Sequence, residues 1–387
     1  MAERALAHVE KIEWIRPIEG ADNIELIGVL GWVCIAKKGE FNVGDMAVYI
    51  EIDSKCPETD ERFAFLANKK FKVKTMKLGK FKVISQGLAL PLSLFPELQD
   101  KKIGDDVTEA LKITYASEED AARKTNKTDP NAKYKSMAKR RPKLFANPIV
   151  RRIMRYSIGR KIMFLLFGRK KDNPKKFPDW IVKTDETRIE NEPFYLQSTE
   201  KWIKTEKCDG TSCTFAVDRL KKGKNKFDFI VCSRNVRQAD REQACYHESN
   251  IYWELADKYD IEKILTQFAT ENNYNRVVLQ GEGVGSVQGN PYKFTENKLF
   301  VFNLIIDGIR LGTVEMADFC KSHGLTSVPI IDTAYELPKT MEEMKLEADG
   351  YSELNPKVKR EGFVYRSIDG QQSFKNVSRE YLLKHNG

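Results

Sequence analysis

Thr205-Glu206-Lys207-Cys208-Asp209-Gly210-Thr211-Ser212 is the stretch on which the reading of this chain turns. Taken singly, Lys-x-Asp-Gly is a short pattern that any surface turn can produce. Downstream come Ser233-Arg234-Asn235, then Gly281-Glu282-Gly283 behind the apolar run Val277–Gln280. Leu299-Phe300-Val301-Phe302, Glu361-Gly362-Phe363-Val364 and Ser373-Phe374-Lys375 complete the series. Each member has an ordinary reading by itself. Glu282 is a turn acid, Glu361 a solvated strand-start acid, Phe302 plain core, and Arg234 and Lys375 surface charges. The ordered set is not explained by so many separate accidents.

The chemistry open to such a set centres on the lysine. A lysine amine is protonated at neutral pH, with an ordinary pKa of ~10.4. A neighbouring cation such as a metal ion favours the neutral amine and activates it. Attack on the α-phosphorus of ATP would then give a lysine–AMP phosphoramidate and pyrophosphate. If the stretch is a strand, Asp209 shares a face with Lys207 and could hold a hydrated Mg²⁺ beside it. Gly210 is expected to let the backbone turn sharply at the nucleotide.

At 387 residues the chain has room for two domains and a connecting region. No apolar run approaches the roughly 18 residues that span a bilayer. Met1-Ala2-Glu3-Arg4-Ala5 lacks the apolar core of a secretory signal, so an intracellular setting, cytoplasmic or nuclear, is expected. The seven cysteines are scattered, with no Cys-x-x-Cys pair, which argues against zinc and for a reduced compartment. With four histidines, a His-based catalytic or metal cluster is not expected.

Charge is unevenly placed. Residues 121–177 hold 19 Lys and Arg against Asp129 and Asp172, a local excess of 17; with +9 for the whole chain, the remainder is −8. Such a segment usually meets phosphate. Contact between 121–177 and nucleic acid is the expectation. Within it, 148–170 mixes apolar residues with Arg151, Arg152, Arg155, Arg160 and Lys161, as in one or two basic amphipathic helices broken near Gly159. The apolar face would pack on a domain. Binding to a membrane surface is a less favoured alternative.

Three regions follow. Residues 1–115 carry short apolar, β-branched runs with glycine turns: 23–36, 46–52, 71–76, 80–84 and 88–92. They predict a small barrel of OB type, although strand count alone does not separate it from an SH3-like barrel. Residues 116–178 form the basic, partly helical linker. Residues 179–387 are mixed α and β, with a helical pattern over 251–269 and strands over 277–280, 299–306 and 362–366.

In order and spacing the segments resemble the covalent nucleotidyltransferases, the ATP-dependent ligases and RNA capping enzymes. Thr205–Ser212 is similar to their motif I, Ser233–Asn235 to Ia, Gln280–Gly283 to III, and Leu299–Asn303 to IIIa. Arg360–Val364 resembles motif IV and Ser373–Asn376 motif V. Lys183-Thr184-Asp185-Glu186-Thr187-Arg188-Ile189, with Lys77-Leu78 through Ser85-Gln86-Gly87-Leu88, narrows the likeness to RNA ligases with an N-terminal OB domain. The implied fold is α+β: an OB barrel, a basic helical linker and a nucleotidyltransferase (ATP-grasp-like ligase) domain with antiparallel sheets.

The resemblance implies roles. Lys207 would carry AMP, Glu206 would line the adenine pocket, and Phe302 would stack on the base. Asp209, Glu282 and Glu361 would surround Mg²⁺ or Mn²⁺ through waters, and Glu282 would also reach the ribose. Arg188 and Arg234 would contact phosphate or ribose, and Lys375 would hold the α-phosphate. Many ligases have Lys-x-Lys in motif V; here Ser373 stands in the first place. The implied activity is joining of RNA 5′-phosphate and 3′-hydroxyl ends with ATP, in RNA repair, by a monomer. A DNA ligase or a GTP-using capping enzyme shares the motifs but places its OB domain after the catalytic one. A third reading is an inactive RNA-binding protein, against which the three acids speak.

Overall fold

The structure, a computed structural model, describes residues 5–116, 142–167, 175–220, 226–241 and 250–386. The first region is a curled five-stranded antiparallel sheet. Its strands are β1 (Ala7–Pro17), β2 (Ile24–Val29), β3 (Trp32–Lys37), β4 (Met46–Ile50) and β5 (Leu88–Pro91), in the order β3-β2-β1-β4-β5. β1 pairs with β4 through Ala7–Lys11 and with β2 through Ile12–Pro17, and a bulge between Ile12 and Trp14 bends it from one partner to the other. The 23–36 run is the β2–β3 hairpin, with Leu30 at a φ of 50° in its turn.

Two expectations change here. The central strand β1 escaped the sequence reading because its alternation is masked by His8 and Glu10, both buried. The run 71–76, expected as a strand, is mostly irregular and contributes only its end to the short pair Met76–Leu78 with Val83–Ser85.

Between the domains lie α1 (Pro142–Ala146), α2 (Pro148–Met154) and α3 (Ser157–Phe167). They cluster on one another through Phe145 and Met163, with Leu144, Val150 and Met154 alongside. Most of the basic segment other than these helices lies outside the described residues. Among described residues no helix is long and apolar enough to cross a membrane.

The last region holds two sheets. In the larger, β7 (Thr211–Arg219) lies between β8 (Phe227–Cys232) and β9 (Arg276–Val284), and β10 (Lys298–Ile306) follows β9, all antiparallel. In the second, β6 (Trp202–Glu206) lies between β11 (Ile330–Tyr335) and β12 (Gly362–Ser367), and β13 (Ser373–Val377) completes the run beside Thr187–Arg188. One face of the larger sheet buries Cys213, Phe215, Val217, Leu279 and Val301 against α4 (Ile251–Lys258), α5 (Ile261–Glu271) and α6 (Thr313–Ser322). The helical pattern over 251–269 is thus two helices, parted where Asp260 takes a φ of 48°. The other face, bearing Ser212 and Glu282, looks toward the second sheet, which is backed by α7 (Met341–Ala348). The last helix is α8 (Arg379–Asn386).

Candidate active site

β6 delivers Lys207. The strand ends at Glu206, and the Lys207 N–H continues its ladder by donating to Gly362 O at 3.0 Å. The side chain turns to Glu361, with Nζ 2.9 Å from Oε1. Glu361 precedes Gly362, whose φ of +149° and a would-be Cβ 2.1 Å from Asn376 O leave room for no side chain. Asp209 is not on a strand with Lys207, as expected from spacing, but in the loop beyond β6. Its N–H donates to Tyr292 Oη at 2.7 Å, and its carboxylate is hydrogen-bonded to Tyr381 of α8.

Gly210 is needed for a different reason from the expected turn. Its φ is not positive, but a Cβ there would stand 2.4 Å from Gly283 O and 3.1 Å from Glu282 Cγ. The loop therefore lies directly on β9, where Glu282 pairs with Ser212 on one side and Phe300 on the other.

Four charges meet in this space. Burial pushes the Lys207 amine down, but Glu361, Glu282 and Asp209 outweigh it and hold the lysine above its ordinary value. Burial pushes Glu282 up to about 8, aided by Glu361 and Asp209 and opposed by Lys207 and Arg234. Glu361 is raised by the same burial. Among described residues no three His, Cys, Asp or Glu side chains converge closely enough to hold a metal directly. An excess of partly desolvated carboxylates around one amine suits a hydrated ion held through water.

A second cluster adjoins the first. Lys375 Nζ lies 2.8 Å from Asp185 Oδ1, and Arg234 Nη2 lies 2.9 Å from Asp185 Oδ2. One carboxylate thus bridges the two cations expected at the phosphates. The whole 183–189 segment works in this way. Thr184 Oγ1 is 2.7 Å from Ser212 Oγ. Glu186 accepts from Arg366 Nη2 at 3.0 Å and from Ser373 Oγ, with Arg310 at 3.7 Å. Burial alone would raise Glu186, but Arg366, Ser373 and Arg310 hold it below its usual value. The position of the missing motif V lysine is thus a serine flanked by two arginines. The sequence assigns no role to Asp185 and Glu186 within the 183–189 motif, because their partners lie far away in the chain.

Arg188 is not drawn into either cluster. Its backbone pairs with Lys375, but its Nη2 donates to Asp53 of the first domain at 3.1 Å. Among the described residues its Nε and Nη1 have no acceptor. Glu206 is buried, accepting from Ser352 Oγ and from the Glu353 N–H at 2.7 Å, with its pKa raised by burial. Phe302 is the extra residue of a bulge in β10, since Gln280 pairs with Asn303 and Gly281 with Val301. It joins Cys208, Tyr292, Phe300 and Val328 in an apolar wall beside Lys207.

Comparisons with known proteins fall on the same two regions. An OB-fold domain family matches residues 6–92, and the RNA ligase family matches residues 200–384. No curated protein sequence matches significantly. The structure is similar to Naegleria gruberi RNA ligase with pyrophosphate, 31% identical, with a TM-score of 0.75 and 99% of each chain covered. A mutant of that enzyme with ATP and Mn is 30% identical with a TM-score of 0.73, covering 98% of this chain and 99% of its own. Another, with AMP and Mn, is 30% identical with a TM-score of 0.74 and 99% of each covered. From its OB barrel through its lysine-centred pocket, the chain belongs to the RNA ligase family.

Proposed function

We propose that this chain joins RNA 5′-phosphate and 3′-hydroxyl ends with ATP, through AMP carried on Lys207. The observation that carries the reading is Lys207 facing Glu361, Glu282 and Asp209 beside the Asp185–Arg234–Lys375 cluster. Complexes of the Naegleria enzyme with ATP, AMP and Mn support the nucleotide and the metal class.

Lys207 Nζ attacks the α-phosphorus, forming a P–N bond as the bond to pyrophosphate breaks. Lys375 and Arg234, turning from Asp185 to the nucleotide, balance charge on the phosphates. Phe302 stacks on the base from its bulge, Glu282 reaches the ribose, and Glu206 shapes the pocket through its hold on residues 352–353. A divalent cation held through water by Asp209, Glu282 and Glu361 would neutralise phosphate charge and favour the uncharged amine. AMP then passes to the RNA 5′-phosphate. A 3′-hydroxyl attacks that end and releases AMP. Each step needs in-line placement and charge balance more than acid–base chemistry.

Incubation with labelled ATP and Mg²⁺ or Mn²⁺ should add one AMP per chain, and Lys207→Ala should remove the adduct. A normal adduct in that variant would take Lys207 out of the mechanism. Labelled GTP transferred in place of ATP would favour capping chemistry. Matched nicks with an RNA or DNA 3′-hydroxyl strand separate RNA from DNA sealing.

A further inference from the structure

The helices α2 and α3 present an apolar surface that no part of the ligase reading uses. Within α3, Gly159 and Met163 face inward, where Met163 meets Phe145. Ile158, Ile162, Leu165 and Leu166 follow at i, i+4, i+7 and i+8, the spacing of one helical stripe. This stripe points outward: Ile158 is 70% exposed and Leu165 is 84% exposed. Ile149, Ile153 and Tyr156 are exposed as well. Arg151, Arg152, Arg155 and Lys161 stand among them, all exposed. An exposed apolar stripe of this size on a water-soluble surface marks a contact face.

Three occupants can be compared. A nucleic acid would neutralise the arginines but leave the leucine and isoleucine side chains in water. A second copy of the chain would cover the apolar groups but oppose like charges. A bilayer surface with anionic headgroups meets both needs, because acyl chains take the stripe while phosphates take the arginines. Outside 121–177 the chain carries a net −8, so the net positive charge that would attract such a surface lies in the segment holding these helices.

We infer that α2 and α3 seat the enzyme on an anionic membrane surface, with Ile158, Ile162, Leu165 and Leu166 entering the headgroup boundary. The test uses the full chain and flotation with phosphatidylcholine vesicles, with or without phosphatidylserine. The wild-type protein should float only with the phosphatidylserine vesicles. Ile162→Asp with Leu165→Asp should reduce binding by at least about tenfold, as should Arg152→Glu with Arg155→Glu. Neither pair should alter AMP transfer to Lys207, which also reports an intact fold. Absence of flotation at low salt would overturn the inference, as would flotation that survives the aspartate pair. Loss of RNA affinity in the arginine pair, with vesicles left unbound by the wild type, would assign the face to nucleic acid instead.

Discussion

Asp185 shows how much of a site can depend on one side chain. Its two carboxylate oxygens lie where phosphate oxygens would satisfy Arg234 and Lys375. On the proposed reading, a nucleotide competes with it. In a Lys207→Ala background, where binding is separated from chemistry, Asp185→Ala should tighten ATP by roughly threefold, on the order of 0.6 kcal/mol by calorimetry. Weaker binding would make Asp185 an organiser of the two cations instead. Lys207 is legible as the head of Lys-x-Asp-Gly, and Glu282, Glu361 and Lys375 because each stands beside a glycine or on an apolar strand within an ordered series. Asp185 gives no such signal, because a carboxylate among Lys, Thr and Glu looks like a solvated run. Its meaning comes from Arg234 and from Lys375, the latter 190 positions away.

At the level of elements, strands with clean apolar patterns were readable and those carrying buried charge were not. β1 hides His8 and Glu10 inside the barrel, with His8 Nδ1 2.8 Å from Glu10 Oε1 and Nε2 3.5 Å from Glu51 Oε1. Burial opposes the charged imidazole, but the two glutamates more than offset it and raise His8 from 6.5 to about 9. Tyr49 packs edge-on beside the ring. A raised pKa stabilises the fold fully below pH 6.5, and that contribution disappears as pH climbs through about 9. The shift corresponds to on the order of 3 kcal/mol. The thermal midpoint should fall over this window, and His8→Gln should flatten the decline. An equally steep decline in the variant would place the titrating group elsewhere. The bulge at Phe302 was equally invisible, since an added residue in a ladder leaves no mark on an apolar run.

For the whole molecule, the contacts between barrel and catalytic domain are polar as well as apolar. Gly31 N donates to Glu190 O at 2.8 Å, Trp32 Nε1 donates to Asn191 Oδ1, and Asn191 Nδ2 donates to Glu51 Oε1. Behind them Lys345 and Glu190, each 1% exposed, pair at 2.7 Å, and Lys345 also donates to Val377 O. Burial lowers the Lys345 pKa while Glu190 opposes it. Lys345→Met strands a buried carboxylate and should cost about 3–5 kcal/mol in denaturant unfolding. Adding Glu190→Gln should recover much of that loss. Failure of the double variant to recover would mean that the bond to Val377 matters more than the charge. None of this interface was legible in the sequence, because it joins residues from opposite ends of the chain.

α8 links the two halves more closely than its length suggests. Leu382 is buried in the barrel's own apolar cluster beside Trp32 and Ile27, while its neighbour Tyr381 is hydrogen-bonded to Asp209. A protease cut ahead of Arg379 would therefore loosen the barrel and disturb the lysine loop at one stroke. Separately produced halves should not regain function on mixing unless this helix finds both of its seats.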